Sequence, residues 1–232
     1  MCMSHPRKTP LIFKEESDAS LLNRLDRPND GQIFSLQDST GKLLAVVAFQ
    51  PDFKLITDIH HPDRCFVSEP DTLAHIMREF MDRTDGALTV NTREFTYASP
   101  FHSTAGATLH GLTLEGSIDL SGPNHTLHPL PTNLRINGSL SIDHHSLTAL
   151  PAGMFVGQNL TLGKRAPNLK EIGANMRVGG NMAIHRELEV SERIGRIVVH
   201  SGLVVTGRTF IDGTSQAVDF RSPVTFHGGI TF

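Results

Sequence analysis

The chain has 232 residues, 38% apolar and 19% charged, with a formal net charge of −3. That size fits one large or two modest domains, and no apolar run approaches the roughly 20 residues of a membrane-spanning helix. Neither half carries the cationic excess that a phosphate backbone demands, two cysteines (Cys2 and Cys65) exclude a disulfide framework, and without tryptophan and with Tyr97 as the one tyrosine the commonest stacking platforms are missing.

Met1 to Lys8 lead into no apolar stretch of signal-peptide type, so a reducing, cytoplasmic setting is expected. Residues 1–10 read as flexible. Ser17 to Leu25 can form a short helix, stopped by Arg27-Pro28-Asn29-Asp30-Gly31. Ile33 to Leu36 and Leu43 to Phe49 alternate as strands, with Asp38-Ser39-Thr40-Gly41 as a hairpin signal between them, and Leu55 to Ile59 adds a third. Asp71 to Met81 has helical spacing in Leu73, Ile76, Met77 and Phe80, and Asp85-Gly86 ends it; Leu88 to Val90 and Phe95 to Tyr97 read as strands. The expectation is a small α+β domain over residues 1–105.

From about Leu112 the sequence repeats. The pattern apolar-x-apolar-x-small-x-apolar-x-apolar recurs at Leu112–Leu120, Leu134–Ile142, Met154–Leu162, Met176–Ile184, Ile197–Val205 and Val218–Phe226. Starts at 112, 134, 154, 176, 197 and 218 are 22, 20, 22, 21 and 21 residues apart. Period two within each copy marks strands with one buried face, and a near-constant period marks a repeat architecture. Stacking predicts inward columns, one through Leu114, Ile136, Val156, Val178, Val199 and Phe220, another through Ile118, Leu140, Leu160, Met182, Leu203 and Val224. The small middle position, Gly116, Gly138, Gln158, Gly180, Ser201 and Ser222, predicts a corner between two short strands. Leu127-x-x-Leu130-Pro131, Leu147-x-x-Leu150-Pro151 and Leu169-x-x-Ile172-Gly173 would close the third side. Residues 106–232 are therefore expected to form a parallel β-solenoid of about six coils.

The unit Leu-Pro-x-x-Leu-x-Ile/Val-x-Gly-x-Leu-x-Leu, clearest at Leu130 to Ile142 and Leu150 to Leu162, resembles the leucine-rich-repeat-like units of bacterial and phage proteins. The likeness covers about half the chain and departs from standard leucine-rich repeats in lacking the asparagine ladder at its usual place. It implies a scaffold and transfers no catalytic residue. On that resemblance, a phage or bacterial effector that inhibits a host complex is one version of the function.

Chemistry-bearing clusters are sparse. His60-His61-Pro62-Asp63-Arg64-Cys65 brings imidazole, carboxylate and thiol together, yet no second ligand pair stands at zinc-site spacing. His75 and Glu79 share a helical face as a surface pair. The outward column of the second strand, Asp119, Ser141, Thr161, Ala183, Val204 and Thr225, holds no paired carboxylates of glycosidase type. No catalytic residue, metal or cofactor is assigned, and the chain reads as a binding protein sooner than an enzyme. A carbohydrate-active or metal-dependent enzyme and a self-assembling structural protein are the alternatives.

A basic ladder is the main surface candidate. Past the second strand the copies offer Gly122, His144, Lys164, Arg186 and Gly207, then His145, Arg165 and Arg208 one place on; Arg135, Phe155 and Arg177 stack outward on the first strand. Such a ridge would suit an acidic partner, a protein before a nucleic acid. Phe220, Phe226, Ile230 and Phe232 in the last copy are expected to support a homodimer.

Overall fold

A computed structural model of the chain describes residues 11–16, 31–61, 67, 69–95, 98–121, 126–144, 146–163, 168–185, 196–211, 218–221 and 223–232. They fall into two compact units, Met1–Ser68 and Glu69–Phe232. The division expected at 105/106 thus differs from the compact units, because the helix near residue 75 groups with the repeats. The short helix expected over Ser17 to Leu25 lies outside the described residues.

The first unit is an antiparallel sheet in the order β1 (Ile12–Glu16), β2 (Gln32–Gln37), β3 (Leu43–Gln50), β4 (Leu55–His60). Three of these strands follow the sequence expectation. Strand β1 was not expected, since Ile12-Phe13-Lys14-Glu15-Glu16 has no apolar alternation, and pairing with β2 forms it instead. Consecutive buried residues in β2 (Ile33 to Leu36) and β3 (Ala45 to Phe49) show both faces of these strands covered. At the hairpin, the Asp38 carboxylate accepts from Thr40 N, Thr40 Oγ1 and Lys42 N. The Thr40 hydroxyl bond is the main cause holding that carboxyl below its ordinary value of 3.8.

The second unit opens with α1 (Pro70–Arg83), whose proline at the first turn suits a helix start, and whose Leu73, Ala74, Ile76, Met77, Phe80 and Met81 are buried. Glu79 pairs with Arg83 at 2.8 Å, one turn on, and not with His75 as expected. Strand β5 (Thr89–Asn91) pairs in parallel with Thr113–Glu115 and so joins the repeat stack. Thr92–Phe95 is a 3-10 turn, so Phe95 is not in the strand expected over Phe95 to Tyr97; Thr96 and Tyr97 lie outside the described residues.

From about residue 89 the chain winds as a parallel β-solenoid of about five turns, fewer than the six expected. Coils from Ala149 onward present an entry, a middle and an exit strand; the two before them, at 113–119 and 135–142, present a middle and an exit strand among the described residues. The entry sheet stacks Ala149–Leu150, Glu171–Ile172, Ile197–Val199 and Val218–Phe220. The middle sheet stacks β5, Thr113–Glu115, Arg135–Ile136, Phe155–Val156, Arg177–Val178, Val204–Val205 and Thr225–Phe226. The exit sheet stacks Ile118–Asp119, Leu140–Ile142, Leu160–Leu162, Met182–Ile184, Thr209–Ile211 and Ile230–Thr231.

Leu114, Ile136, Val156, Val178 and Val199 are all at most 1% exposed, so the apolar alternation does face inward. Their columns, however, diverge after Ile184. Val178 is followed on the middle sheet by Val205 and Phe226, while Val199 and Phe220 continue the entry column of Leu150 and Ile172. The fifth and sixth copies are therefore Leu203–Ile211 and Val224–Phe232, which restores glycine to the corner at Gly207 and Gly228. The physical cause is a variable connector. Leu130 to Ile142, Leu150 to Leu162, Ile172 to Ile184, Val199 to Ile211 and Phe220 to Phe232 all span the same twelve steps, whereas the path from exit to entry strand lengthens between Ile184 and Val199. Loop length of this kind costs little free energy.

Two corners hold the coil in shape. Between entry and middle strands the backbone turns left-handed at Asn133 (φ 57°), Gly153 (71°), Asn175 (57°) and Gly202 (82°), the residue types that tolerate it. Between middle and exit strands a backbone ladder runs from Gly116 O through Gly138, Gln158, Gly180 and Gly207 to Gly228, with N···O distances of 2.8 to 3.2 Å. Beside it climbs a side-chain ladder. Ser139 N donates to Ser117 Oγ, Asn159 N to Ser139 Oγ, Asn181 N to Asn159 Oδ1 and Arg208 N to Asn181 Oδ1. A polar ladder is thus present, at this corner, and it satisfies N–H groups that would otherwise lie unpaired in a bend.

Candidate functional site

The middle strands stack an outward column just before their inward positions and another just after, because residues flanking an inward position point the other way; the first is the one of interest. The outward column is Thr89, Thr113, Arg135, Phe155, Arg177, Val204, Thr225. The expected grouping of Arg135, Phe155 and Arg177 on one face is therefore present as geometry. The Arg135 guanidinium carbon stands 4.6 Å from the centroid of the Phe155 ring, a cation–π contact at nearly the spacing of adjacent strands, about 4.8 Å. Arg135 and Arg177 are exposed and Phe155 is half-buried. Neither guanidinium has a carboxylate within ion-pair reach among the described residues. The nearest acidic residue in the adjacent column, Glu115, accepts from Asn137 Nδ2 at 2.6 Å.

Next to Phe155 and Arg177 the corner column carries no side chain at all. A Cβ at Gly157 would lie 2.4 Å from Asn137 O, and one at Gly179 would lie 2.3 Å from Gly157 O. Tight coil stacking enforces glycine there and leaves a bare ledge beside the aromatic ring. Sequence inspection missed the ledge; its signal is the paired Val-Gly at Val156-Gly157 and Val178-Gly179.

Lys164, Arg165 and Arg186 lie outside the described residues. Arg208 sits at the middle-to-exit corner, one rung beyond Asn181, and so belongs to the polar ladder and not to the connector. His144 is 1% exposed, its Nδ1 held by Ser146 N and Oγ at 3.2 and 2.9 Å, so it contributes nothing to a surface ridge.

The exit face also differs from expectation. Its outward column ends in Phe210 and Thr231, not Val204 and Thr225. Ala183, His185, Phe210, Ile211, Thr231 and Phe232 line a groove of about 330 Å³ there. Phe220 and Phe226 meet edge to face at 5.5 Å; with Ile230 and Phe232 they occupy inward columns of the last rung, where Phe232 is 53% exposed.

In the first unit His60 Nε2 lies 3.4 Å from Asp58 Oδ1, both side chains mostly covered. Asp63 and Cys65 fall outside the described residues. No group of three or more metal-type ligands occurs among the described residues, and no described helix is long and apolar enough to cross a membrane. Set against protein-family models, curated proteins and solved structures, the chain matches none.

Proposed function

We propose that this chain is a non-enzymatic binding scaffold whose solenoid engages a macromolecular partner, most directly a protein, through the middle face. The observation that carries the reading is the column Arg135–Phe155–Arg177: two guanidiniums without ion-pair partners among the described residues, flanking an aromatic ring already stacked on one of them. Arginine and aromatic residues dominate the energetic centres of protein interfaces, and a stacked repeat supplies a rigid surface on which to hold them. Kinship with leucine-rich-repeat-like units belongs to the same reading. The finer version, an effector that inhibits a host complex, follows from that resemblance alone, and the partner's identity decides it.

The test is a pull-down with three chains: the natural one, Arg135→Glu with Arg177→Glu, and an exit-face control, Ser141→Glu with Thr161→Glu. A stoichiometric partner that is lost with the first variant and kept with the control supports the proposal. A partner kept by both variants, each showing an unchanged circular-dichroism spectrum, removes the middle face as the binding surface.

A further inference from the structure

We infer that the occupant of the middle face is an acidic segment of a partner protein in polyproline-II conformation, with carboxylates three residues apart for Arg135 and Arg177. This rests on the binding reading above and adds the chemistry and spacing of the ligand.

Charge comes first. Each guanidinium presents a planar fork of donors that matches a carboxylate, and among the described residues neither Arg135 nor Arg177 has an acidic partner to satisfy it. Glu115, the carboxylate of the neighbouring column, is already bound by Asn137. The entry face turns Glu171 and Asp219 outward, beside the exposed Lys170, Arg196 and Arg221.

Spacing selects the conformation. Arg135 and Arg177 sit two rungs apart with Phe155 between them, which at adjacent-strand spacing is about 9.6 Å. The Arg135 guanidinium carbon lies 4.6 Å from the centroid of the Phe155 ring, close to the spacing of one rung. A polyproline-II chain has three residues per turn and a rise of 3.1 Å, so side chains at i and i+3 share a face about 9.3 Å apart. An extended strand offers about 6.7 Å at i+2, and an α-helix about 6 Å at i+4 or about 10.5 Å at i+7. The polyproline-II spacing fits best, and Phe155 stands between the two acids along the face they share. The ledge at Gly157 and Gly179 leaves room for the ligand backbone beside the ring.

A nucleic-acid strand fits less well. Its phosphates recur at about 3.4 Å along each strand of a duplex, which calls for a cation on successive rungs. Here the rungs flanking the trio carry Thr113 and Val204. Single-strand binding further relies on a series of stacking rings, and this column has Phe155 as its one aromatic residue.

The experiment is fluorescence-anisotropy titration of the full chain with short labelled peptides. One has a Glu-Pro-Pro-Glu core, one a single glutamate in the same frame, one glutamates at i and i+2, and one a helical frame with glutamates at i and i+7; oligothymidine is the fifth probe. The Glu-Pro-Pro-Glu peptide is expected to bind about tenfold tighter than the one-glutamate peptide, the worth of one charge-assisted fork. Arg135→Gln and Arg177→Gln should each abolish that advantage, and Phe155→Ala should weaken both peptides. Urea midpoints of the three variants report whether each is folded. Equal binding of the spacing variants, preference for the helical peptide or oligothymidine, or no binding by any peptide overturns the inference. The scaffold proposal falls on a different result, a captured partner retained by the double-glutamate variant.

Discussion

Thr209 is the polar member of an otherwise apolar column. Its neighbours on the exit sheet are Met182 on one side and Ile230 on the other, and the column begins with Ile118, Leu140 and Leu160. The residue is 1% exposed and its hydroxyl has no hydrogen-bond partner among the described residues. A buried hydroxyl left unpaired costs about 1–3 kcal/mol, while valine has nearly the same shape. Thr209→Val is therefore expected to stabilise the protein by about 1 kcal/mol, read as a higher urea midpoint at unchanged slope. An unchanged or lower midpoint would mean that the hydroxyl finds a partner in solution.

At the scale of the coil, the two corners do different jobs. The left-handed residues redirect the chain; the Ser/Asn ladder fixes the distance between rungs by bonding each corner N–H to the side chain below. Asn181 stands in the middle of that ladder: it receives Arg208 N at 2.8 Å, and its own N–H reaches Asn159 Oδ1 at 2.8 Å. Asn181→Ala removes one acceptor and leaves the Arg208 N–H without its partner. A loss of about 1 kcal/mol is expected, with faster amide exchange at Arg208 than at Asn181, whose acceptor survives. Equal protection at both amides would show that the ladder is incidental to the backbone rungs alongside it.

The whole solenoid tests its own register. Repeat stacks are held by contacts between neighbours, so a complete coil can be removed without disturbing the rest. Excising residues 178–204 joins Arg177 to Val205, the residue that follows Val178 on the middle sheet. That chain is expected to fold, keep its β-type circular dichroism and retain Arg135, Phe155 and Arg177. Excising 178–198 instead joins Arg177 to Val199, whose place is on the entry sheet, and the C-terminal coils should lose protection from proteolysis. The opposite pair of results would restore the regular 21-residue register.

Much of this architecture could be read from residue order. Period-two alternation gave the strands their inward faces, the near-21 recurrence gave the stack, and the spacing of Leu73, Ile76, Met77 and Phe80 gave the helix. The outward trio Arg135, Phe155 and Arg177 was legible for the same reason: in coils of even spacing, the parity of a position decides its face. What residue order did not decide was the register beyond Ile184. Ile197-Val198-Val199 and Leu203-Val204-Val205 carry the same apolar alternation, and either can stand for the middle strand when the connector before them is free to lengthen. Tertiary structure chose between them through the corner, where close stacking of coils admits Gly207 in line with Gly180 and bonds Arg208 N to Asn181. The same choice moved Arg208 out of the basic ladder, while packing between coils buried His144, because whether a side chain reaches the surface depends on which rung lies beneath it.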